Sequence, residues 1–182
     1  VGGSADVTAS SNSGAGIGSG NGYGEPSSSS VYLTGEGGEV LITEQATVRA
    51  RSVSGAGIGG GAPSRYDSYG TGSNGKLTIN GSANVTATST NASGIGAGAS
   101  STAPSSDSHT TGTNGVISIS GNAVVNATGK FYGIGAYNDD GNGALVISGG
   151  TVTARATDEK ASNSCGIGRI ERFTVSGGTV NA

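Results

Sequence analysis

Short stretches in which apolar and polar residues alternate recur along the chain, and each predicts a β-strand with one side facing a core. Five of them place apolar residues two positions apart: Val40–Ile42, Leu77–Ile79, Ile117–Ile119, Leu145–Ile147 and Phe173–Val175. The helical period of 3.6 residues appears nowhere. The pattern therefore predicts an all-β chain.

Two further triplets accompany these strands. Val-X-Ala triplets begin at Val7, Val48, Val85, Val125, Val152 and Val180. Gly-Ile-Gly triplets are centred on Ile17, Ile58, Ile95, Ile134 and Ile167. The return of the same short segments in the same order indicates an internal repeat.

The spacing between the segments identifies the kind of repeat. The last apolar residue of the alternating strand leads the valine of Val-X-Ala by six residues in four copies, counting Val1 as the first, and by five in two. That valine leads the Gly-Ile-Gly isoleucine by nine or ten residues, and by fifteen in the last copy. The stretch back to the next strand varies from 8 to 25 residues. Fixed segments with one variable connection are typical of a solenoid coil whose loops leave at one corner.

Stacked coils would align equivalent residues into inward rows, because alternation sends every second side chain inside. The expected rows contain Ile42 with its equivalents, the valines and alanines of Val-X-Ala, and the five Gly-Ile-Gly isoleucines. Residues 1–182 are therefore predicted to form a single domain, a right-handed parallel β-helix (β-solenoid) of about five coils. At strand spacing, five coils make a rod about 25 Å long.

Several residues refine this prediction. Positive φ is expected at corners marked by Asn-Gly pairs ending at Gly75, Gly115 and Gly143, and at a second corner marked by Gly81, Gly121 and the Gly-Gly pairs at 149–150 and 177–178. Cys165 occupies a small-residue position and is expected to be a buried, inert thiol. Tyr132 occupies the same position and is too large to point inward, so the backbone should differ there.

Composition restricts the partners. Gly accounts for 37 of 182 residues, only 12% are charged, and the net charge is −3. No Lys/Arg cluster exists to neutralise phosphates, so nucleic acid is not an expected partner. No apolar run approaches the roughly 18 residues needed to cross a bilayer, so membrane insertion is not expected. A single cysteine excludes an internal disulfide framework.

No catalytic constellation is visible. The acidic groups near consecutive coils are Asp139, Asp140, Asp158, Glu159 and Glu171, and no motif links them as an acid/base pair. His109 lies in a Ser/Thr-rich stretch typical of a solvated loop. We therefore expect no enzyme activity and no obligatory cofactor. Outward rows of threonine can order water as an ice-binding face does, but arginines and asparagines interrupt these rows here, so ice binding is not expected.

Two phrases carry a resemblance to known proteins. The segments 147–154 (Ile-Ser-Gly-Gly-Thr-Val-Thr-Ala) and 55–61 (Gly-Ala-Gly-Ile-Gly-Gly-Gly) resemble the Gly-rich repeats of large, mostly Gram-positive bacterial cell-surface proteins. The chain is also similar in style to carbohydrate-binding parallel β-helix modules. The resemblance implies an extracellular or cell-surface setting and an adhesive role, and it carries over no catalytic residue.

The variable loops, near residues 19–38, 60–75, 97–115 and 136–143, contain the first candidate site. Five of the six tyrosines fall in them: Tyr23, Tyr32, Tyr66, Tyr69 and Tyr137. Tyrosine makes large contacts at low entropic cost, so stacked loops could form a groove for a polysaccharide or glycan. The alternative is that these rings only cover small cores within the loops.

A second candidate is a calcium site at Asn138, Asp139 and Asp140. These oxygen-bearing side chains and the glycine after them resemble the start of a calcium loop. However, Gly149 stands where a closing acidic residue is needed, so a tight solvated turn is the alternative.

Both ends of the sequence fall inside the repeat, which leaves three alternatives. The chain is a segment of a longer repeat protein, copies associate end to end as subunits of a fibre, or loops fold over the ends. The first two are the main expectations. The leading hypothesis is a non-catalytic structural or adhesive rod of a surface protein or extracellular fibre. A carbohydrate-binding module that uses the tyrosine-bearing loops is the alternative.

Overall fold

The computed structural model of the protein describes residues 1–20, 23–24, 32–33, 37–62, 72–98, 115–136, 143–158 and 164–182. Within these ranges the secondary structure consists of strands and turns, and no helix is long and apolar enough to span a membrane. The strands are β1 (Asp6–Ser11), β2 (Ile17–Gly18), β3 (Tyr23–Gly24), β4 (Tyr32–Leu33), β5 (Glu39–Ile42), β6 (Thr47–Ser52), β7 (Ile58–Gly59), β8 (Lys76–Ile79), β9 (Asn84–Ser89), β10 (Ile95–Gly96), β11 (Gly115–Ile119), β12 (Val124–Gly129), β13 (Tyr132–Gly135), β14 (Gly143–Ala156), β15 (Cys165–Gly168) and β16 (Arg172–Asn181).

The chain winds through three sides, and equivalent strands of successive coils pair in parallel. The first side runs β5-β8-β11 and continues into the first halves of β14 and β16. The second side runs β1-β6-β9-β12 and continues into the second halves of the same two strands. The third side runs β2-β7-β10-β13-β15. The predicted all-β parallel β-helix is therefore confirmed.

The register of the strands confirms the predicted inward rows. On the first side Ile42 pairs with Ile79, and Ile119 pairs with both Ile79 and Ile147. The Val-X-Ala valines and the Gly-Ile-Gly isoleucines likewise lie opposite one another from coil to coil. In the middle coils these side chains are fully buried in one apolar cluster. Each such side chain contributes about 1.5–3 kcal/mol by leaving water.

The Gly-Ile-Gly triplet is explained by the approach of neighbouring backbone. Ile58 points into the core and is fully buried. A Cβ on Gly57 would lie 2.6 Å from the backbone nitrogen of Thr88. Gly59 has φ 134°, and a Cβ there would lie 2.0 Å from the carbonyl oxygen of Gly96 in the next coil. Both flanking positions therefore exclude any side chain, and the triplet is a packing motif.

Buried serines tie the corner between the second and third sides. The Ser52 hydroxyl donates to the Gly14 carbonyl (2.8 Å) and accepts from the Gly55 amide (2.9 Å). Ser89 makes the equivalent bonds one coil further on. These hydroxyls satisfy backbone groups that would otherwise be unpaired inside the corner.

The next coil replaces this serine by Gly129. A Cβ at Gly129 would lie 2.2 Å from the carbonyl oxygen of Tyr132. This is the coil in which the valine-to-isoleucine spacing falls from ten residues to nine. The shorter corner therefore leaves no room for the serine side chain.

At the corner between the first and second sides, glycines have the predicted positive φ. Two further features of this corner were not predicted. Gly81, Gly121, Gly150 and Gly178 have φ between 69° and 89°. In the second coil a non-glycine residue, Glu44, holds this conformation with φ 62°. In the last two coils β14 and β16 run through this corner without interruption, and here the spacing is five residues rather than six.

The prediction for the Asn-Gly corner is right at two of three positions. Gly115 (φ 55°) and Gly143 (φ 142°) have positive φ, but Gly75 does not. Instead, a Cβ on Gly75 would lie 2.1 Å from the carbonyl oxygen of Gly37. Glycine is needed there because two backbone segments approach closely.

Replacing Ile119 by Asp should abolish folding. This side chain is fully buried (0% exposed) and lies opposite isoleucines of both neighbouring coils. An unpaired buried carboxylate costs several kcal/mol, which is comparable to the total stability of a domain. Loss of the β-sheet signal in circular dichroism checks this outcome.

The matched control is Ser118→Asp on the same strand, since Ser118 points outward and is partly exposed. That variant should change the free energy of unfolding by less than about 1 kcal/mol. A fully β-structured Ile119→Asp protein would contradict the stacked core.

Candidate functional site

Most of the candidate site residues from the sequence lie outside the described part of the chain. Tyr66, Tyr69, Tyr137 and the calcium candidates Asn138, Asp139 and Asp140 are in this group. The backbones at Tyr23 and Tyr32 belong to β3 and β4, which pair antiparallel as a short hairpin. The tyrosine groove and the calcium site therefore stay predictions. Among the described residues, no three His, Cys, Asp or Glu side chains cluster as they would around a metal ion.

The variable loops begin at equivalent positions of successive coils. The four variable connections begin directly after Gly18, Gly59, Gly96 and Gly135. These glycines pair in register from coil to coil. The loops therefore leave the rod from one line, at intervals of about 5 Å.

Tyr132 and Cys165 face each other in register at the end of the third side. Tyr132 is 2% exposed and therefore buried, although it lies outside the main apolar cluster. A Cβ on Gly168 would lie 2.7 Å from the tyrosine ring, so the ring packs against that glycine. The Nε of Arg169 donates to the tyrosine hydroxyl at 3.0 Å. The ring is thus buried against the neighbouring coil.

The expectation that Cys165 is buried is wrong, because its side chain is exposed. β15 is the last strand on the third side, so no further described strand covers it there. The thiol donates to the carbonyl of Ile167 at 3.1 Å. Partial desolvation raises the pKa of this thiol, and the nearby charge of Arg169 opposes that rise.

The largest regular surface lies on the outward face of the second side. We call it the second-side face and define it by the outward residues of its six strands. These residues are Asp6, Thr8, Ser10, Thr47, Arg49, Arg51, Asn84, Thr86, Thr88, Val124, Asn126, Thr128, Thr151, Thr153, Arg155, Thr179 and Asn181. Hydroxyl, amide and guanidinium groups make up nearly all of it.

The second-side face carries more positive than negative charge. Arg49 forms an ion pair of 2.6 Å with Asp6, the one acidic residue on the face. Arg51 and Arg155 are exposed, and the described structure gives neither guanidinium a carboxylate partner. The face therefore has an excess of two positive charges on a chain whose net charge is −3.

The outward face of the first side has a different character. Lys76 pairs with Glu39 at 2.8 Å, so these charges cancel. Leu41 and Val116 are the exposed apolar residues there, at 47% and 44%. Compared with this face, the second-side face is more polar and more positively charged.

In the sequence, the outward arginines of this side are visible only as interruptions of the threonine rows. The sequence feature that indicates a positively charged face is the composition of these outward positions, which hold three arginines and one aspartate across six strands. Such a surface offers hydrogen bonds and positive charge, but no histidine or cysteine that could act as a base or nucleophile. Its chemistry is suited to binding.

The raised pKa of Cys165 predicts slow alkylation of this thiol. A higher pKa leaves less thiolate at any given pH. The rate of Cys165 alkylation by iodoacetamide should therefore be lower than that of glutathione near pH 8, and it should increase at higher pH than the rate of glutathione does. Arg169→Gln should slow alkylation further, because it removes the charge that favours the thiolate. The pH profile of the alkylation rate measures both effects. A faster rate in Arg169→Gln would refute this electrostatic explanation.

Comparison with known proteins agrees with this architecture. A family model described as a beta helix repeat matches residues 77–99, 117–137 and 145–168. Each match begins at an inward residue of the first side and ends at or just beyond the Gly-Ile-Gly triplet, so it covers the three sides of one coil. Searches of curated proteins and of solved structures gave no significant match. The chain thus contains a parallel β-helix repeat region.

Proposed function

We propose that this chain is a non-catalytic structural and adhesive module, a stiff rod of a surface protein or extracellular fibre. One observation carries the proposal. The inward apolar rows of all three sides continue in register from coil to coil, so the coils form one packed body. A rod of this kind holds its loops and outward faces at fixed distances from one another.

The surface of the rod supports the same role. Stability depends on inward residues and on close backbone approaches at glycine, as at Gly57 and Gly59. Outward positions and corner loops are under no such restriction. The rod can therefore present different groups to the outside without loss of the core, as extracellular repeat proteins do.

End-to-end association is the assembly we propose for copies of this chain. Phe173 and Val175 align with the inward rows but are 48% and 47% exposed. At the other end of the rod Val7 and Ile17 are only partly buried. Apposition of these two surfaces would bury apolar side chains and extend the parallel pairing.

Light scattering on the purified chain tests this association. We expect the average mass to rise with concentration, and negative-stain microscopy to show rods several times longer than about 25 Å. Replacing Phe173 and Val175 together by Glu should return the protein to single chains, because a carboxylate cannot enter the apolar row.

Leu41→Glu with Val116→Glu is the matched control, since these residues are equally exposed but lie on a side of the rod. That protein should associate like the original chain. Equal loss of association in both variants would indicate general charge repulsion and contradict end-to-end stacking.

A second candidate function is carbohydrate binding by the tyrosine-bearing loops. The observation that favours it is the common line from which the loops leave the third side. Loops that begin about 5 Å apart along one line are spaced to contact successive sugars of one glycan. This function is compatible with the rod and adds a ligand to it.

Replacing Tyr66 and Tyr69 together by Ala tests the loops. We expect binding on a glycan array to fall about tenfold or more, since an aromatic contact is worth on the order of 1–2 kcal/mol. The melting temperature should stay unchanged, because the core rows are intact. Unchanged binding would exclude these two residues from the site.

A further inference from the structure

We infer that the second-side face binds a linear polysaccharide that carries carboxylates, with the polymer lying along the axis of the rod. The inference deepens the proposed function, since it names a partner for the rod and relies on its rigidity. It concerns a surface distinct from the tyrosine-bearing loops.

Charge complementarity is the first argument. Arg51 and Arg155 stand in one outward row, three coils apart, or about 14 Å at strand spacing. The single carboxylate of the face, Asp6, is already paired with Arg49. Two exposed guanidinium groups thus remain to meet an anion, and guanidinium binds carboxylate in a planar, two-bond geometry.

The residues between the two arginines supply the second argument. Thr88 and Thr128 continue the same row from coil to coil. A polymer following this row would therefore pass from one guanidinium to the other over two hydroxyl groups. Hydroxyls donate and accept hydrogen bonds, which suits the hydroxyl groups of sugars.

Periodicity is the third argument. Parallel pairing repeats the row once per coil, at about 4.8 Å. This repeat is comparable to the length of one sugar ring, so each coil can meet one residue of an extended chain. The in-register pairing of β6, β9, β12 and β14 keeps the row straight.

The same face disfavours the main competing anion. None of its outward residues is aromatic, whereas single-stranded nucleic acid binding depends on aromatic rings that stack on bases. Two unpaired arginines are also too few to neutralise the dense phosphates of a duplex. Carboxylates spaced along a hydroxyl-rich polymer fit the face better.

Titration calorimetry with sodium polygalacturonate tests the inference on the intact chain. We expect measurable binding that weakens as salt is raised, because exposed charges are screened. Neutral dextran of similar length should not bind. Arg51→Gln with Arg155→Gln should lower the affinity about tenfold, at roughly 0.5–1 kcal/mol for each exposed ion pair.

Lys76→Gln with Arg172→Gln is the matched control, since it removes the same charge from the first side. Its affinity should stay within about twofold of the original chain. Equal losses in the two double variants, equal binding of dextran, tighter binding of a DNA duplex, or no binding at all would each overturn the inference. None of these results affects the rod itself, which light scattering and microscopy test separately.

Discussion

The structure depends on one constraint: the apolar side chains of a coil become fully buried only when other coils stack on both sides of it. Ile79, for example, is fully buried and lies opposite Ile42 and Ile119 of the neighbouring coils. A single coil therefore cannot form a core, and stability must grow with stacking. Because the pairing is parallel and in register, one identical row serves every coil, and the same few residues can be used repeatedly.

Stacking at strand spacing also explains the unusual composition. Where two backbones meet at a corner, even a methyl group would collide, as the 2.0 Å approach at Gly59 shows. Where the corner is slightly wider, Ser52 fits and its hydroxyl bonds two backbone groups. The high glycine and serine content, which would favour disorder in a random arrangement, here follows from the geometry of the corners.

The separation of inside from outside has a functional consequence. Inward residues and corner glycines are fixed by packing, whereas outward residues such as Arg51 and Thr88 are exposed or partly exposed. Variation can therefore accumulate on the faces and in the loops at little cost to folding. The excess positive charge of the second-side face, on a chain of net charge −3, is informative for this reason, since packing does not require it.

Spacing in the sequence was sufficient to determine the fold class, the inward rows and the register, because a period-two pattern repeated at fixed intervals is compatible with one stacking only. It also indicated that Tyr132 is large for the small-residue position that it occupies. Only the tertiary structure decided where that ring goes, that Cys165 is exposed, and that Gly75 is needed for close approach rather than for positive φ. These outcomes depend on which neighbouring backbone lies beside each residue. Similarly, the sequence shows three outward arginines, but pairing across strands decides that Arg49 is neutralised while Arg51 and Arg155 stay available for a ligand.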